Sequence, residues 1–152
     1  MLHIVLYQPE IPHNTGAVGR LCLATGARLH LIKPLGFSLE DKYLKRSGLD
    51  YWPEVDVRVW DTWEAMWEQR ENDAQFFYVE VQGTRLHWEA DFTSGEDVYL
   101  VFGPETRGIP PDLMETQPNH ILRIPMRGTR SLNLATAVAI TLYEAVRQRG
   151  GV

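Results

Sequence analysis

Short apolar runs alternate with helix-like segments along almost the whole chain, and this alternation is the feature that most constrains its fold. Strands are predicted at 2–7, 28–32, 55–60, 75–81, 98–102 and 120–124. Helices are predicted at 14–25, 39–46, 62–70 and 110–116, with a long apolar helix from about 132 to 149. Such alternation favours an α/β class with a mainly parallel sheet flanked by helices. A length of 152 residues suits one domain, 1–152.

The ends of two helices can be read from their capping residues. Asn14 or Thr15 is a candidate N-cap for the first helix, and Gly26 is its expected C-terminal stop. Ser131 or Asn133 is a candidate N-cap for the last helix. That helix is predicted to be buried on more than one side, because apolar residues surround it. Those at spacings of three and four are Leu132, Ala135, Ala139, Leu142 and Val146.

Composition excludes several classes of protein. No apolar run approaches the ~20 residues of a membrane helix, and the first residues lack the pattern of a secretory signal. Cys22 is the one cysteine, so neither an internal disulfide nor a cysteine-based metal site is expected, and a reducing cytoplasm is the expected location. Cys22 falls on the apolar face of a predicted helix and is expected to be buried. The five histidines show no metal-ligand spacing, and no metal is expected.

The net charge of −5 argues against a general nucleic-acid binder, but the charge is unevenly distributed. Residues 1–52 contain six basic and four acidic side chains, and residues 100–152 contain the same numbers. Residues 53–99 contain three basic and twelve acidic side chains. If the two ends meet in space, they form a mildly basic face. The alternative is simply a well-solvated acidic middle, and charge alone does not decide between them.

Three loops at predicted strand-to-helix junctions carry the polar residues of interest. They are residues 14–20 (NTGAVGR), 102–110 (FGPETRGIP) and 124–133 (IPMRGTRSLN). Ligands of open α/β sheets bind at the carboxyl ends of strands, and glycine lets a backbone approach a ligand closely. The second and third loops therefore predict one shared small-molecule pocket. For the first loop, a helix cap with a surface arginine is the alternative to an anion site.

Taken together, these loops resemble the TrmH-like branch of the SPOUT methyltransferases, and within it the small TrmL-like subgroup. The matching positions lie in order along the chain: Asn14, Gly16 and Arg20, then the residues 102–108, then Ile124–Met126 and Ser131–Leu134. The resemblance covers nearly the whole chain and is loose only between about Val55 and Trp88. The loop at 127–129 looks one residue shorter than in some relatives.

The resemblance implies a fold, a cofactor and a substrate that periodicity does not provide. It implies a deep trefoil knot near the C-terminus, a homodimer, and S-adenosyl-L-methionine (SAM) bound bent in the knot loops, with S-adenosyl-L-homocysteine (SAH) as product. The implied substrate is the ribose 2'-oxygen at wobble position 34 of tRNA, in leucine isoacceptors. The implied cofactor contacts are Val79, Gly103, Ile124, Met126, Ser131 and Leu132. The implied catalytic positions are Arg20, Asn14, Glu105, Ser131 and Asn133. Candidate RNA contacts are Arg107, Arg130, Tyr143, Lys45 and Arg46.

Two roles remain open for Arg20, which in the family serves the partner subunit's cofactor. It assists deprotonation of the 2'-hydroxyl, or it anchors a phosphate and stabilises the developing alkoxide. A guanidinium with a pKa above ~12 is a poor base, which favours the second role. Tyr143 has a purely structural alternative, packing within its helix.

Two alternative functions also remain open. The first keeps the fold and changes the RNA, to ribosomal RNA or to another tRNA ribose. The second is a non-catalytic RNA-binding protein that retains a SAM pocket. The presence of Arg20, Glu105, Ser131 and Asn133 argues against the second.

Overall fold

A seven-stranded parallel sheet forms the centre of the computed structural model, which describes residues 1–40, 42–47, 51–128 and 130–152. The strands are β1 Leu2–Tyr7, β2 Arg28–Ile32, β3 Val57–Trp60, β4 Gln75–Val79, β5 Arg85–Leu86, β6 Val98–Phe102 and β7 Ile121–Arg123. The helices are α1 Pro12–Thr25, α2 Lys42–Ser47, α3 Trp63–Glu68, α4 Pro111–Met114 and α5 Leu134–Gln148. The prediction of an α/β fold with a parallel sheet is confirmed.

The strand order is β3-β2-β1-β6-β4-β7-β5. The two-residue strand β5, which the sequence pattern does not predict, pairs with β7 at one edge. β7 therefore lies between β4 and β5, although β4 and β5 follow each other along the chain. This arrangement places three neighbouring strand ends, those of β6, β4 and β7, side by side.

Side chains of successive residues in β1 point to opposite faces of the sheet, and each face has its own core. Ile4 and Leu6 pack on the face covered by α1 and α5, together with Val18 and Leu142. Val5 packs on the other face with Trp63, Met66 and Phe76. Because both faces are covered, the central strands β1 and β6 are buried along nearly their whole length. Cys22, on the buried face of α1, is fully buried, as predicted.

The first helix begins earlier than predicted. Pro12 occupies its first turn and Ile11 is the N-cap, without a side-chain cap hydrogen bond. The expectation that Asn14 or Thr15 caps this helix is wrong, because proline is tolerated at the first helical position and moves the start upstream. For α5, Asn133 rather than Ser131 is the N-cap, and its side chain accepts from Thr136 N. Gly26 ends α1 in the left-handed conformation, as predicted.

Hydrogen bonds link the ring nitrogens of one tryptophan and two buried histidines to an aspartate, on the sheet face where Val5 packs. Trp60 Nε1 lies 3.0 Å from His30 Nδ1, His30 Nε2 lies 2.9 Å from His3 Nδ1, and His3 Nε2 lies 3.1 Å from Asp97 Oδ1. Since an indole N–H only donates, each imidazole accepts on Nδ1 and carries its proton on Nε2. Burial is the largest influence on both rings and lowers the pKa of His3 and, to about 3, that of His30. Both histidines are therefore neutral.

Candidate functional site

A cavity of about 470 Å³ opens at the carboxyl ends of β4, β6 and β7. Its walls come from four parts of the chain: the start of α1, the residues after β4, the loop after β6, and the segment from β7 into α5. The lining residues are Ile11, Asn14, Val79, Glu80, Val81, Phe102–Gly108, Ile124, Met126, Ser131–Leu134 and Ala137. The second and third loops thus share one pocket, as their position at strand ends predicts. Its volume lies within the usual range of small-molecule sites.

The loop after β6 folds back on itself so closely that position 103 has room only for glycine, while Gly108 lies against the flexible end of the Glu80 side chain. A Cβ at Gly103 would lie 2.7 Å from the backbone N of Ile109 and 2.8 Å from the backbone C of Gly108. A Cβ at Gly108 would lie 2.9 Å from Glu80 Oε1. Real Cβ atoms do not approach so closely. The two glycines therefore give one cavity wall its shape.

Glu105 connects this loop to the beginning of α1. Its carboxylate accepts hydrogen bonds from the backbone N–H of Glu10 at 2.8 Å and of Ile11 at 2.9 Å, and from Asn14 Nδ2 at 3.2 Å. No acidic residue stands in the first turn of α1 and Ile11 offers no capping oxygen. Glu105 therefore supplies from another segment the anion and acceptor that this helix start lacks.

Two asparagines extend that connection to α5. Asn133 Nδ2 donates to Asn14 Oδ1 at 3.1 Å, while Asn14 Nδ2 donates to Glu105. Asn14 is buried, and both ends of its amide are engaged. The chain Asn133–Asn14–Glu105 therefore orients three walls of the cavity relative to one another.

A second bridge between the same loops runs in the opposite direction. The carboxylate of Glu10 accepts from Thr106 N at 2.8 Å and from Thr106 Oγ1 at 2.7 Å. These hydrogen bonds lower the pKa of Glu10, and the one from the backbone N–H of Thr106 has the larger effect. Arg107 Nη2 donates to Gln8 Oε1 at 3.3 Å nearby, and the Arg107 side chain is exposed at the cavity rim. The rim thus offers a cation beside a well-ordered loop.

Glu80 is the residue of this cavity that the sequence pattern misses. It follows Val79 directly, is half-buried, and accepts a short hydrogen bond from the backbone N–H of Ile109. Burial raises the pKa of its carboxyl, and hydrogen bonds from the backbone of Ile109 and Val81 partly oppose that rise. A carboxylate directly after a strand would have indicated a site residue. The predicted strand extended to residue 81, however, so Glu80 was placed inside the strand and not at its end.

The sequence-predicted site residues divide into two groups. Ten line the cavity together: Asn14, Val79, Gly103, Glu105, Arg107, Ile124, Met126, Ser131, Leu132 and Asn133. Four others, Arg20, Arg46, Arg130 and Tyr143, are exposed and do not line it. The side chain of Lys45 lies outside the described residues. Arg20 Cζ sits 5.6 Å from the ring centroid of Tyr51.

Neither a cluster of metal ligands nor a membrane-spanning helix occurs among the described residues, 1–40, 42–47, 51–128 and 130–152. Within them, no group of three or more His, Cys, Asp or Glu side chains is arranged to hold a metal ion. No helix there is long and apolar enough to cross a membrane.

The model of the SpoU rRNA Methylase family matches residues 1–143 of the chain. A tRNA (cytidine(34)-2'-O)-methyltransferase of Methylovorus glucosotrophus is 51% identical over 150 residues, covering 97% of this chain and 96% of that protein. A solved structure described as giving insights into the 2-OH methylation of C/U34 on tRNA superposes with a TM-score of 0.91 at 51% identity, covering 97% and 95% of the two chains. The SpoU methyltransferase AviRb of Streptomyces viridochromogenes, in complex with the cofactor AdoMet, superposes with a TM-score of 0.83 at 26% identity, covering 98% of this chain and 60% of that one.

Proposed function

The chain belongs to the SpoU methylase family, and we propose that it transfers a methyl group from SAM to the ribose 2'-oxygen of the wobble nucleotide, position 34, of tRNA. The observation that carries this proposal is the full-length similarity, near 50% identity, to relatives named for that reaction. The cavity adds independent support, because the strand-end loops meet there around one small-molecule site.

The cavity fits a cofactor of SAM's chemistry. Val79, Ile124, Met126 and Leu132 offer apolar surface for a purine ring, while Glu80, Asn14 and Asn133 offer polar groups to orient a ligand. The tight loop at Gly103 and Gly108 brings backbone within reach of a bound molecule. We therefore propose that Val79, Gly103, Ile124, Met126, Ser131 and Leu132 hold the cofactor.

SAM supplies, when bound, a methyl group already activated for transfer to a nucleophile. The protein then has to bind the RNA, align the 2'-oxygen and manage its proton. Glu105, Asn14 and Asn133 hold the walls in register by the hydrogen bonds described above. Ser131 presents its hydroxyl at the same rim. Arg20 acts on the 2'-oxygen as a fixed cation that anchors phosphate and stabilises the developing alkoxide.

Arg20 supports the further proposal of a homodimer. Its side chain does not line the cavity of its own chain and is exposed on α1. Exposed apolar side chains accompany it on the α1 and α5 side: Ile11, Leu23, Leu132 and Tyr143. In a dimer built on this side, Arg20 of one subunit completes the site of the other. Mixing an Arg20→Ala subunit with an Asn133→Ala subunit should then restore activity that neither variant has alone.

The position of β7 supports the proposed trefoil knot. β7 lies between β4 and β5, which are consecutive along the chain. The segment that follows β7 therefore passes next to the loop that joins β4 to β5. It then continues into α5, which packs on α1. Residues 1–152 are proposed to form a single knotted methyltransferase domain that acts in the cytoplasm.

RNA binding is proposed for exposed cations of α2 and of the two loops that contribute to the cavity. Arg46 lies on α2, which packs on α1, and Arg107 and Arg130 lie on the two cavity loops. The N-terminal and C-terminal parts of the chain, which carry more basic than acidic residues, are in contact, since Asn133 Nδ2 donates a hydrogen bond to Asn14 Oδ1. Lys45 and Tyr143 complete the proposed set, and leucine tRNAs are the proposed isoacceptors.

Methyl transfer from labelled SAM to unmodified tRNA, followed by mapping of the labelled nucleotide, tests the function. We expect the label in a 2'-O-methylated nucleotide at position 34. Label in ribosomal RNA, or at another tRNA ribose, would retain the chemistry and overturn the substrate. Tight SAM binding without transfer to either RNA would overturn the catalytic proposal.

A further inference from the structure

Glu80 places a carboxylate in the cavity wall that no cation of the described residues neutralises. None of the ion pairs that those residues form involves Glu80. The other charged groups of the cavity are engaged elsewhere, Glu105 at the start of α1 and Arg107 at Gln8. A half-buried carboxylate is costly unless hydrogen-bond donors or a cation compensate it. The backbone N–H groups of Ile109 and Val81 donate to it, and the remaining acceptor capacity is available to a ligand.

The proposed cofactor has two kinds of group that a carboxylate could bind. One is the positive charge of its sulfonium and the other is the pair of ribose hydroxyls. A carboxylate at the sulfonium would stabilise a charge that the reaction consumes, and so would stabilise the ground state more than the transition state. The hydroxyls do not change during the reaction, so binding them carries no such penalty. A vicinal diol also presents two donors to the acceptor-only carboxylate.

We propose that Glu80 is the acceptor for the ribose hydroxyls of the cofactor, an inference that rests on the proposed SAM-dependent function. In dinucleotide-binding α/β folds an Asp or Glu side chain likewise accepts hydrogen bonds from a nucleotide ribose, and ligands of open α/β sheets bind at the carboxyl ends of strands, where Glu80 lies. Ile109 N–H holds the carboxylate in place and Gly108 leaves room for it. Glu80 therefore has two partners, the loop on one side and the ribose on the other.

Binding of SAH, measured by titration calorimetry, tests this inference without requiring turnover. The variant Glu80→Gln keeps a carbonyl acceptor for Ile109 and removes the charge. We expect it to weaken SAH binding about tenfold or more, since hydrogen bonds to charged groups are the stronger ones. An SAH analogue with a 2',3'-dideoxyribose should bind the wild type weakly and show no further loss in Glu80→Gln. Glu115→Gln, an exposed carboxylate on the C-terminal side of α4, is the matched control and should bind SAH like the wild type.

The pH dependence supplies a second readout, of the charge on the Glu80 carboxylate. Because burial raises the pKa of Glu80, wild-type affinity for SAH should fall as the pH is lowered through that raised value. The Gln variant should lack this dependence.

Two results would overturn the assignment to the ribose. Equal losses for SAH and the dideoxy analogue would leave Glu80 only as a loop support. A much larger loss for SAM than for SAH would place the carboxylate at the sulfonium. If the wild type bound neither SAM nor SAH, the proposed function itself would fail, which is distinguishable from a defect confined to Glu80→Gln. Thermal unfolding of each variant separates loss of binding from loss of fold.

Discussion

Removing the Glu105 carboxylate should destabilise the protein as well as the proposed cofactor site. Glu105→Ala leaves two backbone N–H groups and the Asn14 amide without their acceptor. Hydrogen bonds to charged groups contribute about 1.5–3 kcal/mol each. The backbone N–H groups of Glu10 and Ile11 are only part-buried or exposed and regain water, whereas the Asn14 amide is buried. About 1 kcal/mol for each of the three gives an expected loss of about 2–3 kcal/mol in the free energy of unfolding. For a chain of this size that corresponds to a fall in Tm of roughly 5–10 °C.

Urea denaturation followed by tryptophan fluorescence measures this loss, at a fixed protein concentration because the stability of the proposed dimer would depend on it. Glu105→Gln should lose less than Glu105→Ala, since it keeps one acceptor oxygen. Glu115→Ala, an exposed carboxylate without a helix start to support, should change stability by less than about 0.5 kcal/mol. If Glu105→Ala fell within the same limit, the interpretation of Glu105 as the anchor of α1 would be refuted.

Four further predictions concern other parts of the molecule. Folding lowers the pKa of His30 to about 3, whereas an unfolded histidine titrates near 6.5. Because the unfolded chain then binds more protons, the free energy of unfolding should fall as the pH drops below about 6.5. His30→Gln should reduce that fall between pH 7.5 and 5 in urea titrations. Gly103→Ala should abolish detectable SAH binding in calorimetry, because its Cβ meets backbone atoms that cannot move aside; binding near the wild-type level would contradict the packing described. Cys22, buried and with its pKa raised to about 12, should resist alkylation at pH 8 until urea unfolds the chain; modification of the native protein within minutes would contradict its burial. Arg20→Ala should lose methyl transfer while keeping SAH affinity, and partial activity in Arg20→Lys would favour charge stabilisation over deprotonation by the guanidinium.

Much of the fold was predictable because buried parallel strands are continuous apolar runs of a recognisable length. The runs at 2–7, 28–32 and 98–102 became β1, β2 and β6 with the predicted bounds. The two-residue strand β5 was not predictable, because it has no periodicity of its own and exists only through pairing with β7. The start of α1 was predicted too late, since its N-terminal acceptor comes from Glu105, more than ninety residues away.

The site was predictable to a similar degree and for a similar reason. Loops after strands were readable, and ten of the expected residues share one cavity. Glu80 was missed because a strand pattern does not reveal where pairing stops. The positions of Arg20, Arg130 and Tyr143 outside the cavity could not be read either, since loop and helix orientation depends on tertiary packing.

The place of β7 inside the sheet has a consequence for how the protein is made. β7 and the lining residues Ile124, Met126 and Ser131–Leu134 leave the ribosome late, yet they form an inner strand of the sheet and one wall of the cavity. Until they arrive, β4 has an open edge and β5 has no partner, and open edges invite pairing with other chains. A chain that ends before β7 therefore lacks α5, which covers one face of the sheet, and one wall of the proposed cofactor site. Binding of a ligand in this cavity should therefore mark molecules whose synthesis is finished.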